Sequence, residues 1–194
     1  KGKVSKNKFL KVVLPALLVV AIICQAVGFQ AVLAKGNVAT TSSDSISNLT
    51  DQQLQALTNP ILQSYKADSS HKVWKMTDDS RLAVLANQTN IENARLQEVV
   101  KLVNSEFVEK EMVYAQEKDV SYGDILIDID QTSSITSSSN SKEAYKITIG
   151  ENGVRLTGAS ENAIMHGLRT IQNLIITNDG LVYGEIVDYP NVAE

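Results

Sequence analysis

The chain has 194 residues, 18 basic against 22 acidic, and a formal net charge of −4. It holds one cysteine, two histidines and 5% aromatic residues, which excludes an internal disulfide framework and a cysteine-based metal site. The acidic balance repels nucleic acid and anionic lipid, so no nucleic-acid partner is expected.

Residues 1–34 form a segment apart. "KGKVSKNKFLK" contains five lysines and no acid, "VVLPALLVVAIIC" is an unbroken apolar run, and "AVLA" closes with small residues. That order is the order of a secretory signal peptide. Retained instead of cleaved, the same segment is long enough to anchor the chain in a membrane. Both readings place the remainder outside the cytoplasm, secreted or at the cell surface. Cys24 lies inside the apolar run behind Ile23, where a lipoprotein site would want a small residue. Removing the five lysines leaves 13 basic against 22 acidic residues, a net charge of −9. The rest is long enough to bury one proper core.

Residues 35–70 are expected to be a linker with one short helix. "KGNVATTSSDSISN" is small and polar, and Thr50 can cap a helix carrying Leu54 and Leu57 that ends towards Pro60. Asn48 and Asn87 stand in N-x-T patterns, which matter only in a host that glycosylates. Residues 71–86, "HKVWKMTDDSRLAVLA", predict two short strands around the turn residues Asp78 and Asp79. Thr89 with Glu92 three positions on predicts a capping box. Leu96, Val99, Val100, Val103 and Phe107 then recur at helical spacing and predict a helix with one buried face.

In "GDILIDID", Ile125, Ile127 and Ile129 alternate with Asp128 and Asp130, the pattern of a half-buried strand with its aspartates in water. After a Ser-rich loop, Tyr145, Ile147 and Ile149 alternate again. Asn152-Gly153 predicts a hairpin turn, and Val154 and Leu156 resume the inward alternation. Ser160 is a candidate N-cap, with Glu161 at the positive end of the helix dipole. The helix that follows has an apolar stripe of Ile164, Leu168, Ile171 and Ile175, with Gly167 placed for close approach to a sheet. "NDG" ends it, and "LVYGEIVDY" predicts a last strand before Pro190. The elements together predict an α+β fold: a mostly antiparallel sheet with two main helices packed on one face.

The second stripe of that last helix, Asn162, His166, Arg169 and Asn173, is polar. His166 beside Arg169 could be an acid-base histidine with an anion-binding arginine. More simply, it is a solvated face, or one covered by another domain. "DIDQTSS" lacks the glycine and closing glutamate of a calcium loop. His71 and His166 have no H-E-x-x-H partner, and neither a G-x-S-x-G elbow nor a Gly-rich phosphate loop occurs. No catalytic, cofactor-binding or metal-ligating residue is assigned from these patterns.

Four segments, "ARLQEVV", "DILIDI", "EAYKITIGENGVRLTGASENAIMHGLRTIQNLI" and "GEIVDYPNVAE", resemble in order the small domain that precedes the catalytic barrel in family 20 glycoside hydrolases, the β-N-acetylhexosaminidases. The likeness covers residues 71–194. It implies an α+β domain without catalytic residues of its own. The partner it implies is a barrel in the same chain that removes terminal N-acetylhexosamine from glycans. In that family an Asp-Glu pair on the barrel serves substrate-assisted retention. No Asp-Glu dipeptide occurs in these 194 residues, so no catalytic role is carried over. Two other readings stand beside it: a free-standing carbohydrate-binding module, for which Trp74 is the single tryptophan, and a membrane-anchored interaction module.

Overall fold

The computed structural model describes residues 46–106, 110–131, 135 and 142–189. The candidate signal segment 1–34, Phe107 and Pro190 lie outside them. The described elements are α1 (Asp51–Gln55), β1 (Ser64–Ala67), β2 (Val73–Trp74), β3 (Leu82–Leu85), α2 (Gln88–Ile91), α3 (Ala94–Glu106), β4 (Met112–Ala115), β5 (Ile125–Ile129), β6 (Tyr145–Gly150), β7 (Gly153–Gly158), α4 (Glu161–Asn178), β8 (Leu181–Val182) and β9 (Gly184–Asp188). A 3₁₀ turn, Glu117–Asp119, lies between β4 and β5.

The main sheet has seven strands in the order β1-β9-β6-β7-β5-β3-β4. Its first half, β1 to β7, is antiparallel, and its second half, β7 to β4, is parallel. β2 and β8 form a separate antiparallel pair. The class is α+β, and the sheet is mixed. Ile125, Ile127 and Ile129 of β5, Ile147 and Ile149 of β6, and Leu156 of β7 share one buried cluster with Leu96, Val99, Val100 and Val103 of α3 and Ile164, Leu168 and Ile171 of α4. Both long helices therefore lie on one face of the sheet. Asn93, just before α3, donates to Glu161 at the start of α4, and Gln172 of α4 donates to the Glu106 carbonyl at the end of α3, so the two helices run parallel.

Gly167 shows how close α4 comes to the sheet: a Cβ there would lie 2.3 Å from Leu156 Cδ1. The β6–β7 hairpin turns as expected, but only Gly153 takes a positive φ, 95°. Its missing side chain leaves room for the carbonyls of Tyr122 and Asp124, 2.9 Å from where a Cβ would stand.

Four expectations change. The capping box on Thr89 and Glu92 is not formed. Asn87 caps α2 through the Asn90 amide, and Asn93 caps the separate helix α3 through the Leu96 amide. Asparagine fills both roles because its short side-chain carbonyl reaches the amide three residues on. Asp128 is buried, not wet: β5 sits between β7 and β3, and Asn87, Asn90 and Arg155 all donate to its carboxylate. Behind β5, Leu126 and Ala83 form a second apolar cluster covered by Val120 from the loop after β4. The described part of the expected linker, 46–70, is folded onto the domain. Thr50 caps α1 in a full capping box, Ile46 and Leu54 are buried, and β1 closes one edge of the sheet against β9. Finally, "LVYGEIVDY" is not one strand but two, since the chain passes from the small sheet to the large one between Val182 and Gly184.

Candidate functional site

α4 forms where it does because Ser160 caps it, accepting from the Ala163 amide, and because Asp179 ends it in the left-handed region. Its stripe of Ile164, Leu168 and Ile171 turns inward, and that orientation puts His166 and Arg169 outside. Both are exposed. They line a groove of about 420 Å³ whose opposite wall is the loop 58–63 and whose inner side is Tyr145, Thr170, Asp188 and Tyr189. The polar stripe is thus walled in partly by the chain's own loop.

The pair does not form an acid-base centre. Arg169 is bound to Glu106 of α3 at 2.5 Å, with both side chains nearly half exposed, an ion pair that joins the two helices. His166 makes no hydrogen bond or ion pair with another described residue in this groove. The ordered chemistry lies deeper. Tyr145 is buried, and its hydroxyl donates to Asp188 Oδ2 at 2.9 Å. That uses its only hydrogen, so the Thr170 hydroxyl, 2.6 Å away, must be the donor to Tyr145. Asp188 Oδ1 accepts from the Gln63 amide at 3.1 Å. Burial, then the neighbouring Asp188 charge, push the Tyr145 hydroxyl far above the ordinary tyrosine range. It stays protonated and acts as a donor, not as a base.

This cluster is absent from the sequence-based expectations because its members stand far apart in the chain. Tyr145 reads as a core residue and Asp188 as a strand end. The one local signal is that Asp188 sits two residues before Pro190, inside "GEIVDYPNVAE".

A second groove, about 520 Å³, lies at the outer face between the β6–β7 turn and the 3₁₀ turn. Its arginine, Arg155, is spent on Glu117 at 2.5 Å and Asp128 at 3.1 Å. Among the described residues no three His, Cys, Asp or Glu side chains group as metal ligands, and His71 is an exposed loop residue. Asp78 and Asp79 form an exposed turn, braced by Lys110 donating to the Thr77 and Asp78 carbonyls. Asn87, in one of the N-x-T patterns, has both ends of its amide engaged. Trp74 is fully buried, its Nε1 donating to the Tyr122 carbonyl at 2.7 Å, so the single tryptophan offers no stacking face to a sugar. No described helix is long and apolar enough to cross a membrane.

No curated protein matches the chain. Among solved structures, it is similar to the N-acetyl-β-hexosaminidase of Streptomyces plicatus bound to Thio-NAglucal, with 15% identity and a TM-score of 0.51 over 75% of this chain and 28% of that one. Other similar structures are the family 20 β-N-acetylhexosaminidase of Streptomyces coelicolor A3(2), at 16% identity and a TM-score of 0.48 over 69% and 26% of the two chains, and the β-N-acetylhexosaminidase of Bacteroides fragilis NCTC 9343, at 15% and 0.44 over 62% and 22%. The chain spans about a quarter of the length of these enzymes. The profile of glycosyl hydrolase family 20, domain 2, matches residues 57–189, which takes in β1 to β9 and both long helices, and the chain belongs to that family.

Proposed function

We propose that this domain is a non-catalytic accessory domain of a β-N-acetylhexosaminidase-like glycoside hydrolase. It supports a barrel in the same parent chain that removes terminal N-acetylhexosamine from glycans. The observation that carries this reading is the family match over 57–189. The groove chemistry is consistent with it, since Arg169 is taken up by Glu106, while Thr170, Tyr145 and Asp188 satisfy one another, and no acid stands paired with a nucleophile among these side chains. The polar face of α4 suits an interface between domains of one chain, which is moderately polar. We further propose that the parent works outside the cytoplasm, secreted or held at the cell surface by residues 1–34, whose pattern is that of a signal peptide or anchor.

The test is the reading frame after the codon for Glu194 and the mass of the exported product. Continuation into Arg-Gly and, further on, an Asp-Glu pair agrees with the proposal. A stop codon directly after Glu194 contradicts it. A product mass lacking residues 1–34 assigns that segment as a cleaved signal, and a mass retaining it assigns an anchor.

A further inference from the structure

Asp188 is the last residue of β9, and three parts of the domain hold it. The Gln63 amide, just before β1, binds Oδ1. Tyr145, at the start of β6, binds Oδ2, and Thr170 on α4 binds Tyr145 in turn. Neighbouring strand positions need no such help, because the ladder already pairs Tyr145 with Asp188 across β6 and β9. The side-chain bonds add a second, independent fixation at the point where the chain leaves the sheet. The tyrosine ring is buried in the core, so the hydroxyl is anchored to the least mobile part of the molecule.

We propose that Tyr145, Thr170 and Asp188 form a clasp that fixes the direction in which the chain leaves the domain. The clasp transmits motion of whatever follows into the core of sheet and helix. All three are positioning residues. The inference rests on the reading that a folded catalytic domain follows, and its role there is to hold the two domains as one cooperative unit.

The experiment uses the whole parent protein with Tyr145→Phe, which keeps the ring, and Thr170→Val, which keeps the shape and alters a partly exposed side chain should the first variant fold poorly. Two quantities are read: hydrogen exchange at the Gln63 amide and the number of calorimetric unfolding transitions. Exchange at Gln63 should rise roughly tenfold, the opening expected from one lost hydrogen bond. One transition in the unsubstituted parent should become two. Unchanged exchange at Gln63 overturns the clasp. So does a lowered midpoint that remains a single transition, which is what a merely structural role would produce. The barrel reading fails separately, when the unsubstituted parent hydrolyses no N-acetylhexosaminide.

Discussion

Arg81 and Asp124 form a two-pronged ion pair where the parallel strands β3 and β5 begin. Arg81 Nε lies 3.0 Å from Oδ1 and Nη2 lies 2.6 Å from Oδ2. Asp124 is 1% exposed and also accepts the main-chain amides of Arg81 and Ser121. Burial by itself would raise its carboxyl, but the Arg81 hydrogen bonds and charge, with the Ser121 amide, outweigh it and hold the group below the usual carboxylate range. The carboxylate therefore aligns two strands and closes the loop between Ser121 and β5. Asp124→Ala should cost about 2–3 kcal/mol, since it strands buried amides and the arginine together. Urea denaturation of the domain checks this.

The same pair sets a pH dependence. A carboxyl with a lowered folded-state pKa contributes stability that is present above its unfolded value and is lost as pH falls through the folded one. Stability should therefore decline on acidification below about pH 4. Asp124→Asn should flatten that part of the profile. An unchanged slope in the variant contradicts the assignment.

Gly167→Ala weighs two effects. Alanine gains about 1 kcal/mol of helix propensity over glycine. Its Cβ would meet Leu156 Cδ1 at 2.3 Å and Tyr145 Cδ2 at 3.2 Å, and overpacking of this kind costs about 1–3 kcal/mol. The net effect should be a loss, and Leu156→Val in the same chain should recover part of it. Denaturation midpoints of the single and double variants decide the matter.

Trp74 reports on the core. Burial predicts blue-shifted emission and little quenching by iodide from residues 46–194, where it is the single tryptophan. Titration with N-acetylglucosamine or chito-oligosaccharides should leave the emission unchanged. A saccharide-dependent shift would revive the carbohydrate-binding reading.

What was legible in the sequence was local. The inward stripes of α3 and α4, the Asn152-Gly153 turn and the Ser160 cap all follow from periodicity or from the chemistry of one or two neighbours. The parallel half of the sheet was not legible, because a register such as Leu82 beside Ile125 leaves no mark in either strand alone. Asp128 reads as a wet strand residue because its three donors, Asn87, Asn90 and Arg155, come from 27 to 41 positions away. "SYKA" is too short and too polar to announce an edge strand. The groove followed the same rule: the placement of His166 and Arg169 on the outer face of α4 was readable, whereas the clasp of Tyr145, Thr170 and Asp188 needed the fold.

Replacing both His166 and Arg169 by alanine removes the Arg169–Glu106 pair and two groove side chains. In the parent protein this should lower the melting temperature by a few degrees and leave any hexosaminidase kcat within about twofold, because the ion pair is half exposed and weak. Turnover lost at unchanged stability would make the groove part of the active site.

Hydrolysis of 4-nitrophenyl N-acetyl-β-glucosaminide, measured side by side for the parent protein and for residues 46–194, tests the accessory role most directly. The parent should release nitrophenol, and the domain alone should release none at any concentration. Hydrolysis by residues 46–194 that His166→Ala abolishes would contradict a supporting role and make the α4 groove catalytic.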